Sequence, residues 1–476
     1  MRVQNYLALF LCTAIIALSS ACKKDQLLSS GGEVRFSTDT LNFDTVFTSL
    51  GSFTLPVKIV NPQGQRIVLQ SVRLNGGKAS YFHLNVNGIS GNNVSNVEIA
   101  AHDSIYVFAT VNIDPNNDTI PFVVEDKLIA TLNGNDYSIP LFAYGQNAYY
   151  LRDSVIQKND VWKTDKPYVI LHSALVDKGF TLTIPPRARV YMHADSRLYV
   201  RGQLLCGVGG SKKDTVIFQG DRLDRGYFGN KGYPGEWGGI YFDSSSIGNR
   251  IENTRIINCG NASGGGLPFA IEVFGKPGSP NQLSLVNTII DNSFGHGLLC
   301  FQANVQADNL LVTRCGAQAL AILQGGNYQF NNCNFIDLSR SDEPLAAVLN
   351  YFAVDNTTSI VGSLNAQFAN CVFYFSPNPT DSSYDLDKVV CAKKDAASYN
   401  AVFQNCLIEN KSTIAVAQQS NNILNKHPYF ENEQKLNFRL RPQSPLIGAG
   451  ITTSATKDLD DYFRMGAFDI GCYQFH

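Results

Sequence analysis

The sequence predicts an all-β protein in which an immunoglobulin-like β-sandwich is followed by a parallel β-helix, a solenoid of stacked short strands. Three observations support this fold class. An asparagine motif recurs in the second half of the chain at intervals of 22 to 38 residues, which is the period of a solenoid. The candidate strands are short and rich in β-branched and aromatic residues. No apolar run at helical spacing is long enough for a helix.

The first 22 residues have the composition of an export signal. Arg2 is followed by an apolar run from Tyr6 to Leu18, and small residues stand directly before Cys22. This ending resembles a bacterial lipobox, which predicts a lipoprotein signal peptide over 1–22, lipidation of Cys22 and a tether over 23–30. The alternative is an ordinary signal peptide cut near Ala21. A transmembrane helix is disfavoured because the apolar run is shorter than the roughly 20 residues of a span.

Residues 31–148 predict a separate immunoglobulin-like β-sandwich. About seven short strands with alternating apolar residues are separated by turn sequences such as Asn75-Gly76-Gly77. The order of four further segments resembles sandwich domains related to the ASH family, which are spacers or binding modules. The four segments are Val57 to Asn61, Ala101-His102-Asp103-Ser104, Asp114-Pro115 and Pro140 to Gly145.

The recurring asparagines define the architecture of the second half. Each has an apolar residue two positions before it and another three positions after it, and a mostly small residue directly follows. Since strand side chains alternate, the inward face must shift by one residue at the asparagine, so the chain bends there. Asparagine tolerates the left-handed conformation of such a corner, and its amide can bond to the copies above and below. The predicted structural ladder consists of Asn253, Asn287, Asn309, Asn332, Asn370 and Asn405.

The eleven cysteines of the chain do not form a disulfide or metal pattern. Cys333, Cys371 and Cys406 occupy one repeat position, directly after their asparagines, which predicts small buried side chains. The vertical spacing of coils leaves a bridge within this column open on distance alone. Closely paired Cys or His residues, as zinc sites require, do not occur.

The predicted β-helix spans residues 151–476 and carries a recognisable beginning and end. Thr181 to Pro186, Leu198 to Leu204 and Gly235 to Phe242 at its start, with Ser444 to Gly450 and Asp469 to Tyr473 at its end, resemble right-handed parallel β-helix repeat lipoproteins of the Bacteroidota, with a pectate-lyase-like fold. The resemblance covers most of residues 165–475. It implies the fold, whereas the activity stays open, because that group contains both surface proteins and enzymes on polysaccharides.

The densest charge cluster of the β-helix is the segment from Asp221 to Arg225. Asp221, Asp224 and Arg225 are candidate catalytic residues, and Arg222 is a candidate ligand-binding residue, because paired carboxylates and guanidinium groups can hold calcium or a uronate. The structural alternative is a solvated loop that pairs its own charges and packs on Trp237.

Two further residues have both a functional and a structural interpretation. Gly295-His296-Gly297 matches a tripeptide of polygalacturonase-type hydrolases, but the aspartate motifs that accompany it there are missing from this sequence. We therefore expect His296 to be a turn residue rather than a catalytic residue. Trp237 could stack on a sugar, although Trp followed by Gly-Gly-Ile is more typical of a packed strand start.

These observations predict a lipoprotein of the cell envelope, anchored in outer-membrane lipid through Cys22. The sandwich would act as a spacer, and the β-helix would present a rigid surface that binds glycan or an envelope protein without catalysis. The alternative is a carbohydrate-active enzyme, a polysaccharide lyase or glycoside hydrolase, acting from a β-helix face. We expect no cofactor and no metal site. Ca²⁺ would be a cofactor only if the protein is an enzyme. The formal net charge of −2 gives no attraction to nucleic acid.

Overall fold

The computed structural model describes residues 26–223, 232–262, 265–338, 343–376 and 387–476. Within these residues the chain is all-β and confirms the predicted fold class, with a β-sandwich followed by a parallel β-helix. One compact unit runs to Asn147, and the next begins at Ala148. The predicted signal peptide and Cys22 lie outside the described residues. Within the described part, no helix is long and apolar enough to cross a membrane.

The first unit consists of two five-stranded sheets, ordered β1-β3-β8-β5-β6 and β2-β10-β9-β4-β7, whose apolar faces enclose one core. All pairs are antiparallel except β2 with β10. Alternating burial along β3 and β8 shows why these segments form strands with one face in the core. The strands are β1 (Arg35–Phe36), β2 (Leu41–Phe47), β3 (Leu55–Val60), β4 (Ile67–Leu74), β5 (Phe82–Val86), β6 (Ile89–Ser90), β7 (Asn93–Ile99), β8 (Ser104–Val111), β9 (Phe122–Leu132) and β10 (Asn135–Gln146).

The second unit contains a parallel sheet of 26 strands wound into coils, together with two antiparallel pairs, β30 with β31 and β39 with β40. Three 3-10 helices are also described in the two units, Gly77–Ala79, Lys212–Asp214 and Glu433–Lys435. The strands are β11 (Tyr149–Ile156), β12 (Asp160–Val161), β13 (Tyr168–Val176), β14 (Thr181–Ile184), β15 (Arg189–Met192), β16 (Arg197–Val200), β17 (Gln203–Cys206), β18 (Val216–Gly220), β19 (Gly239–Phe242), β20 (Asn249–Glu252), β21 (Thr254–Ile257), β22 (Phe269–Phe274), β23 (Leu283–Val286), β24 (Ile289–Ser293), β25 (His296–Asp308), β26 (Leu311–Cys315), β27 (Leu320–Asn331), β28 (Asn334–Asp337), β29 (Ala346–Leu349), β30 (Tyr351–Ala353), β31 (Ser359–Val361), β32 (Leu364–Ala369), β33 (Val372–Phe375), β34 (Val389–Ala392), β35 (Tyr399–Gln404), β36 (Leu407–Ile408), β37 (Gln418–Ser420), β38 (Ile423–Leu424), β39 (Phe430–Asn432) and β40 (Asn437–Leu440).

Each coil contributes strands to three faces. Face A contains β16, β19, β22, β29 and β34 with the first halves of β25 and β27. Face B contains β14, β17, β20, β23, β32, β35 and β37 with the second halves of β25 and β27. Face C contains β15, β18, β21, β24, β26, β28, β33, β36 and β38.

The repeat asparagines form the corner between faces B and C. All six have left-handed backbone conformations, with φ between 44° and 55°. The amide of Asn287 donates to Asn253 at 3.3 Å, that of Asn309 to Asn287 at 2.9 Å, and that of Asn370 to Asn332 at 3.3 Å. Each of these three amides therefore donates to the corner asparagine of the preceding coil, in the manner of an asparagine ladder.

The C-terminal segment completes this ladder from outside. Amide groups of Asn332, Asn370 and Asn405 donate to the carbonyls of Asp469, Ile451 and Ala449 at 2.7 to 3.0 Å. Arg464 is buried, and its guanidinium group donates to Asn309 Oδ1 at 2.9 Å. This bond takes the place of the one that the amide of Asn332 in the next coil would otherwise make. The C-terminal segment thus supplies hydrogen bonds that buried corner amides require.

Inside the coils, residues at equal repeat positions stack on one another. Phe330, Phe368 and Phe403 lie with successive ring centroids 5.2 and 4.6 Å apart and nearly parallel planes. The cysteines that follow the asparagines are buried, and all nine cysteines of the described residues are free thiols. Burial raises the pKa of Cys206 to about 12, so this thiol stays protonated and packs as an apolar group.

The longer intervals between asparagines come from longer chain segments before and after the strands of face A. In the described structure, residues 275–282, 350–363 and 393–398 connect face A to face B, and residues 258–262 and 265–268 belong to the segment between face C and face A. The corner between faces B and C carries no such insertion in these coils. The described insertions therefore lie at the ends of face A strands.

We predict that Asn370→Ala lowers the free energy of unfolding by about 2–4 kcal/mol, measured by urea denaturation. Alanine is strained in the left-handed conformation, and its methyl group leaves the buried partners of the amide without hydrogen bonds. Asn370→Gly tolerates the left-handed conformation but still lacks the amide. Its free energy of unfolding should therefore lie between those of the native protein and Asn370→Ala. Asn365→Ala, at an exposed strand position of the same coil, should change the value by less than about 0.5 kcal/mol. Equal effects at Asn365 and Asn370 would contradict the corner role.

Candidate functional site

The outward side of face A carries a column of polar and aromatic residues in three successive coils. Tyr199 pairs in register with Tyr241, and Tyr241 pairs with Glu272. The neighbours Leu198, Ile240 and Ile271 are fully buried, so alternation turns the column outward. Arg197 and Arg201 flank Tyr199 at positions of the same phase, and Asp243 follows Tyr241 by two residues. This group is the charged end of face A, and it consists of Arg197, Tyr199, Arg201, Tyr241, Asp243 and Glu272.

Contacts with neighbouring residues hold Arg197, Tyr199 and Tyr241 of the charged end in place. The guanidinium group of Arg197 donates to the Asn261 carbonyl at 3.1 Å and lies 5.3 Å from the ring centroid of Phe269. A Cβ on Gly238 would come within 2.3 Å of the Arg197 side chain, so glycine leaves the space in which this side chain lies. The rings of Tyr199 and Tyr241 meet edge to face with centroids 6.0 Å apart.

The two carboxyl groups of the charged end have opposite tendencies to ionise. Burial raises the pKa of Glu272 to about 7, against the opposing charge of Arg197. Glu272 forms no hydrogen bond or ion pair with the described residues, so nothing compensates its desolvation except that more distant charge. Burial also acts to raise the pKa of Asp243, but bonds from the Ser245 backbone and hydroxyl at 2.9 and 2.8 Å, with Arg201 and Lys276, hold it below its ordinary value.

This arrangement can perform two kinds of chemistry. Guanidinium groups and tyrosine rings on adjacent coils can bind carboxylates and ring faces of an elongated ligand. A carboxyl group that is half protonated near neutral pH, on the coil next to an ionised carboxylate, also matches the pair of groups used in acid–base catalysis. Coils repeat at about 4.8 Å, so these groups lie along a line and do not converge on a single point.

The cluster predicted around Asp221 is located at the corner between faces C and A. The Asp221 side chain is 3% exposed, and its carboxylate lies 2.6 Å from Nδ1 of His193, which is 37% exposed. The hydrogen bond to Asp221 raises the pKa of His193, while the charges of Arg222 and Arg152 act in the opposite direction. Asp221 thus orients an imidazole and is too buried to contact a ligand itself. Asp224 and Arg225 lie outside the described residues.

Trp237 and His296 are both buried. Trp237 is fully buried, stacks on Phe218 at 6.3 Å and donates from its indole nitrogen to the Ile257 carbonyl at 2.9 Å. Its ring offers no face to a sugar, so the structural interpretation applies. His296 begins strand β25 instead of forming a turn, and it is 7% exposed. Burial lowers its pKa to about 4, so the imidazole is neutral near pH 7.

The charged end of face A was not identified from the sequence, although a signal existed. Segments 198–201, 240–243 and 271–274 share one pattern, in which two buried apolar residues alternate with outward residues. Aligning these segments would have placed Tyr199, Tyr241 and Glu272 in one column. The first asparagine of the repeat, Asn253, follows Tyr199 and Tyr241 in the chain. The repeat therefore does not show how the strand of Tyr199 aligns with the next coil.

Other parts of the described structure offer weaker candidates. Two larger cavities, of about 790 and 620 Å³, lie on the sandwich unit. His83 is the one titratable residue that lines the first, and Asp126 in the second accepts hydrogen bonds from the backbone of Gly76. Among the described residues no cluster of three or more His, Cys, Asp or Glu side chains could hold a metal ion.

Comparison of the chain with models of known protein families found no match, and comparison with curated proteins found no significant similarity.

We predict that Asp221→Asn lowers the pKa of the His193 imidazole, measured by NMR titration. In the native protein, proton loss from His193 should occur above the ordinary histidine value of about 6.5, because the buried carboxylate stabilises the charged ring. Asp153→Asn removes the carboxylate that pairs with His172 and should leave the His193 titration unchanged. An unchanged titration in the Asp221 variant would contradict the assignment.

Proposed function

We propose that the protein is a lipid-anchored component of a bacterial cell envelope that binds an acidic polysaccharide along face A, without cleaving it. The observation that carries this proposal is the line of charged and aromatic side chains on three successive coils, with an insertion after β22 at one end of this line. A polysaccharide is itself a linear repeat, so it can place ring faces and carboxylates against successive coils. Arg197 and Arg201 of the charged end, with Lys276 near Asp243, supply cationic groups that suit carboxylates.

The proposed location rests on the sequence. Residues 1–22 and Cys22 support a lipoprotein, and the resemblance of the β-helix segments to lipoproteins of the Bacteroidota supports residence in the outer membrane. The sandwich unit would be the spacer between lipid and β-helix. Acylation of the mature cysteine by more than one chain would make the anchorage stable, since each buried methylene contributes about 0.8 kcal/mol. The partners are then membrane lipid at one end and glycan on face A.

A catalytic function is the second candidate, and one observation favours it. Glu272 with a pKa near 7 could protonate a glycosidic oxygen while the ionised Asp243 serves as base or electrostatic partner. No cofactor is required for this reaction.

We expect Arg197→Ala and Arg201→Ala each to weaken binding of polygalacturonate by about 10- to 100-fold, measured by isothermal titration calorimetry. Each variant removes charge-assisted hydrogen bonds to a carboxylate. The matched control is Arg255→Ala, since Arg255 is exposed on face C. Binding that falls equally in all three variants would indicate nonspecific charge attraction, and binding lost only with Arg255 would refute the proposed face.

Binding of the same anionic polymer should weaken as pH rises through about 7. Above this pH Glu272 carries a negative charge next to the ligand, whereas below it the carboxyl group is neutral. Glu272→Gln should remove this pH dependence, and Glu252→Gln, on face B beside Arg250, should retain it. Persistence of the dependence in Glu272→Gln would assign it to another group.

A reducing-end assay separates binding from catalysis. The binding proposal predicts no new reducing ends when the purified chain is incubated with polygalacturonate. Hydrolysis that decreases above about pH 7, and that falls by about 10²- to 10⁴-fold in Glu272→Gln, would instead support the enzyme.

A further inference from the structure

Beyond the charged end, the outward side of face A becomes apolar. Six residues of β25, β27 and β29 point away from the β-helix interior, yet most are buried. Phe352, from the hairpin β30–β31, covers part of this surface by packing edge to face on Phe301 at 5.3 Å. The six residues are Leu299, Phe301, Ala321, Leu323, Ala347 and Leu349.

A cavity of about 480 Å³ remains where this apolar surface is not covered. Leu267 and Pro268 lie at one side, and Tyr351 and Phe352 of the hairpin lie at the other. The floor contains Ala321 and Ala347 in register, between Leu299 and Val390 in the same column. The two alanines are neighbours in this column, and their small side chains leave space that larger side chains, such as Leu299 and Val390 on either side, would fill. The volume is in the range of small-ligand sites.

The polar groups of the cavity are few and uncharged or already paired. His296 lines it as a neutral imidazole, and its buried Nδ1 has no hydrogen-bond partner among the described residues. The Gln318 amide donates to the Glu343 carboxylate at 2.7 Å. The described lining contains neither Lys nor Arg. A buried nitrogen without a hydrogen-bond partner is unfavourable, so a ligand that pairs with it gains affinity.

We propose that this cavity binds an uncharged, acetylated sugar residue, with the acetyl methyl on Ala321 and Ala347 and the acetamido group hydrogen-bonded to His296. An imidazole presents either ring edge after a half-turn of the ring, so the nitrogen can meet the ligand. A carboxylate is disfavoured because Glu343 is the charged residue of the lining. The apolar walls match a methyl group better than the hydroxyls of an unmodified sugar.

This inference deepens the proposed function and rests on it for the nature of the polymer. Glu272 and Ala321 are separated by two coil steps, which is about 10 Å at a spacing of about 4.8 Å per coil. One glycan chain can therefore place an acidic residue on the charged end and a neutral acetylated residue in the cavity. Face A would then select a polymer that contains both.

The test uses two monosaccharide probes and the purified full chain. Methyl N-acetylglucosaminide and methyl glucoside differ by the acetamido group, and binding is followed by NMR of the His296 imidazole and of cavity methyl groups. We expect the acetylated probe to bind at least tenfold more tightly than methyl glucoside. Ala321→Leu, which fills the floor, should weaken it at least tenfold. Ala347→Val is a smaller filling that should weaken it less and serves if the first variant fails to fold.

The outcomes separate this inference from the proposed function. Tight binding of the acetylated probe, lost in the filled variants, supports the cavity even if polygalacturonate is not bound, which would refute the proposed function alone. Equal binding of the two sugars, or no binding of either, overturns the cavity proposal whether or not polygalacturonate binds. Binding of decanoate with no response to either sugar would also overturn it, because the cavity would then be a site for acyl chains.

Discussion

The left-handed corner between faces B and C is the constraint on which the rest of the molecule depends. A parallel coil must turn sharply at a fixed point, and most L-residues are strained there, whereas asparagine, aspartate and the achiral glycine tolerate the left-handed conformation. Asparagine solves the steric problem and also pairs with its neighbours, as Asn287 does with Asn253. Several amide groups of the column also pair with the C-terminal segment, where the carbonyls of Asp469 and Ile451 accept from Asn332 and Asn370. Coil register is therefore fixed along one edge.

A fixed edge allows variation elsewhere. Interior positions are occupied by stacked phenylalanines and buried free thiols, which leave little room for change, whereas insertions border strands of face A. Because residues of equal phase align on successive coils, face A can present Tyr199, Tyr241 and Glu272 in a line. The same alignment of two alanines, Ala321 and Ala347, produces a cavity. The charged end of face A and the cavity over the alanines thus both follow from the same alignment of residues on successive coils.

The architecture could be predicted from the sequence because its determinant is local. The asparagine frame is contained in six residues, so the repeat at Asn332 or Asn370 is visible without knowledge of contacts. The groups of face A depend on register across insertions of unequal length, and Tyr241 and Glu272 stand 31 positions apart. Likewise, the partner of Asp221 is His193, 28 residues earlier, and no local pattern links them. Burial separated the alternatives for Trp237, since Gly-Gly after it fits both a surface and a core strand.

The central claim is that the corner edge is scaffold and that face A binds the ligand. Hydrogen–deuterium exchange of the purified chain, with and without a saturating acidic polysaccharide, tests it most directly. Protection confined to the strands and insertions of face A, including residues 269–274 and 258–262, is the predicted result. Protection on faces B and C or on the sandwich unit, with face A unchanged, would contradict the claim.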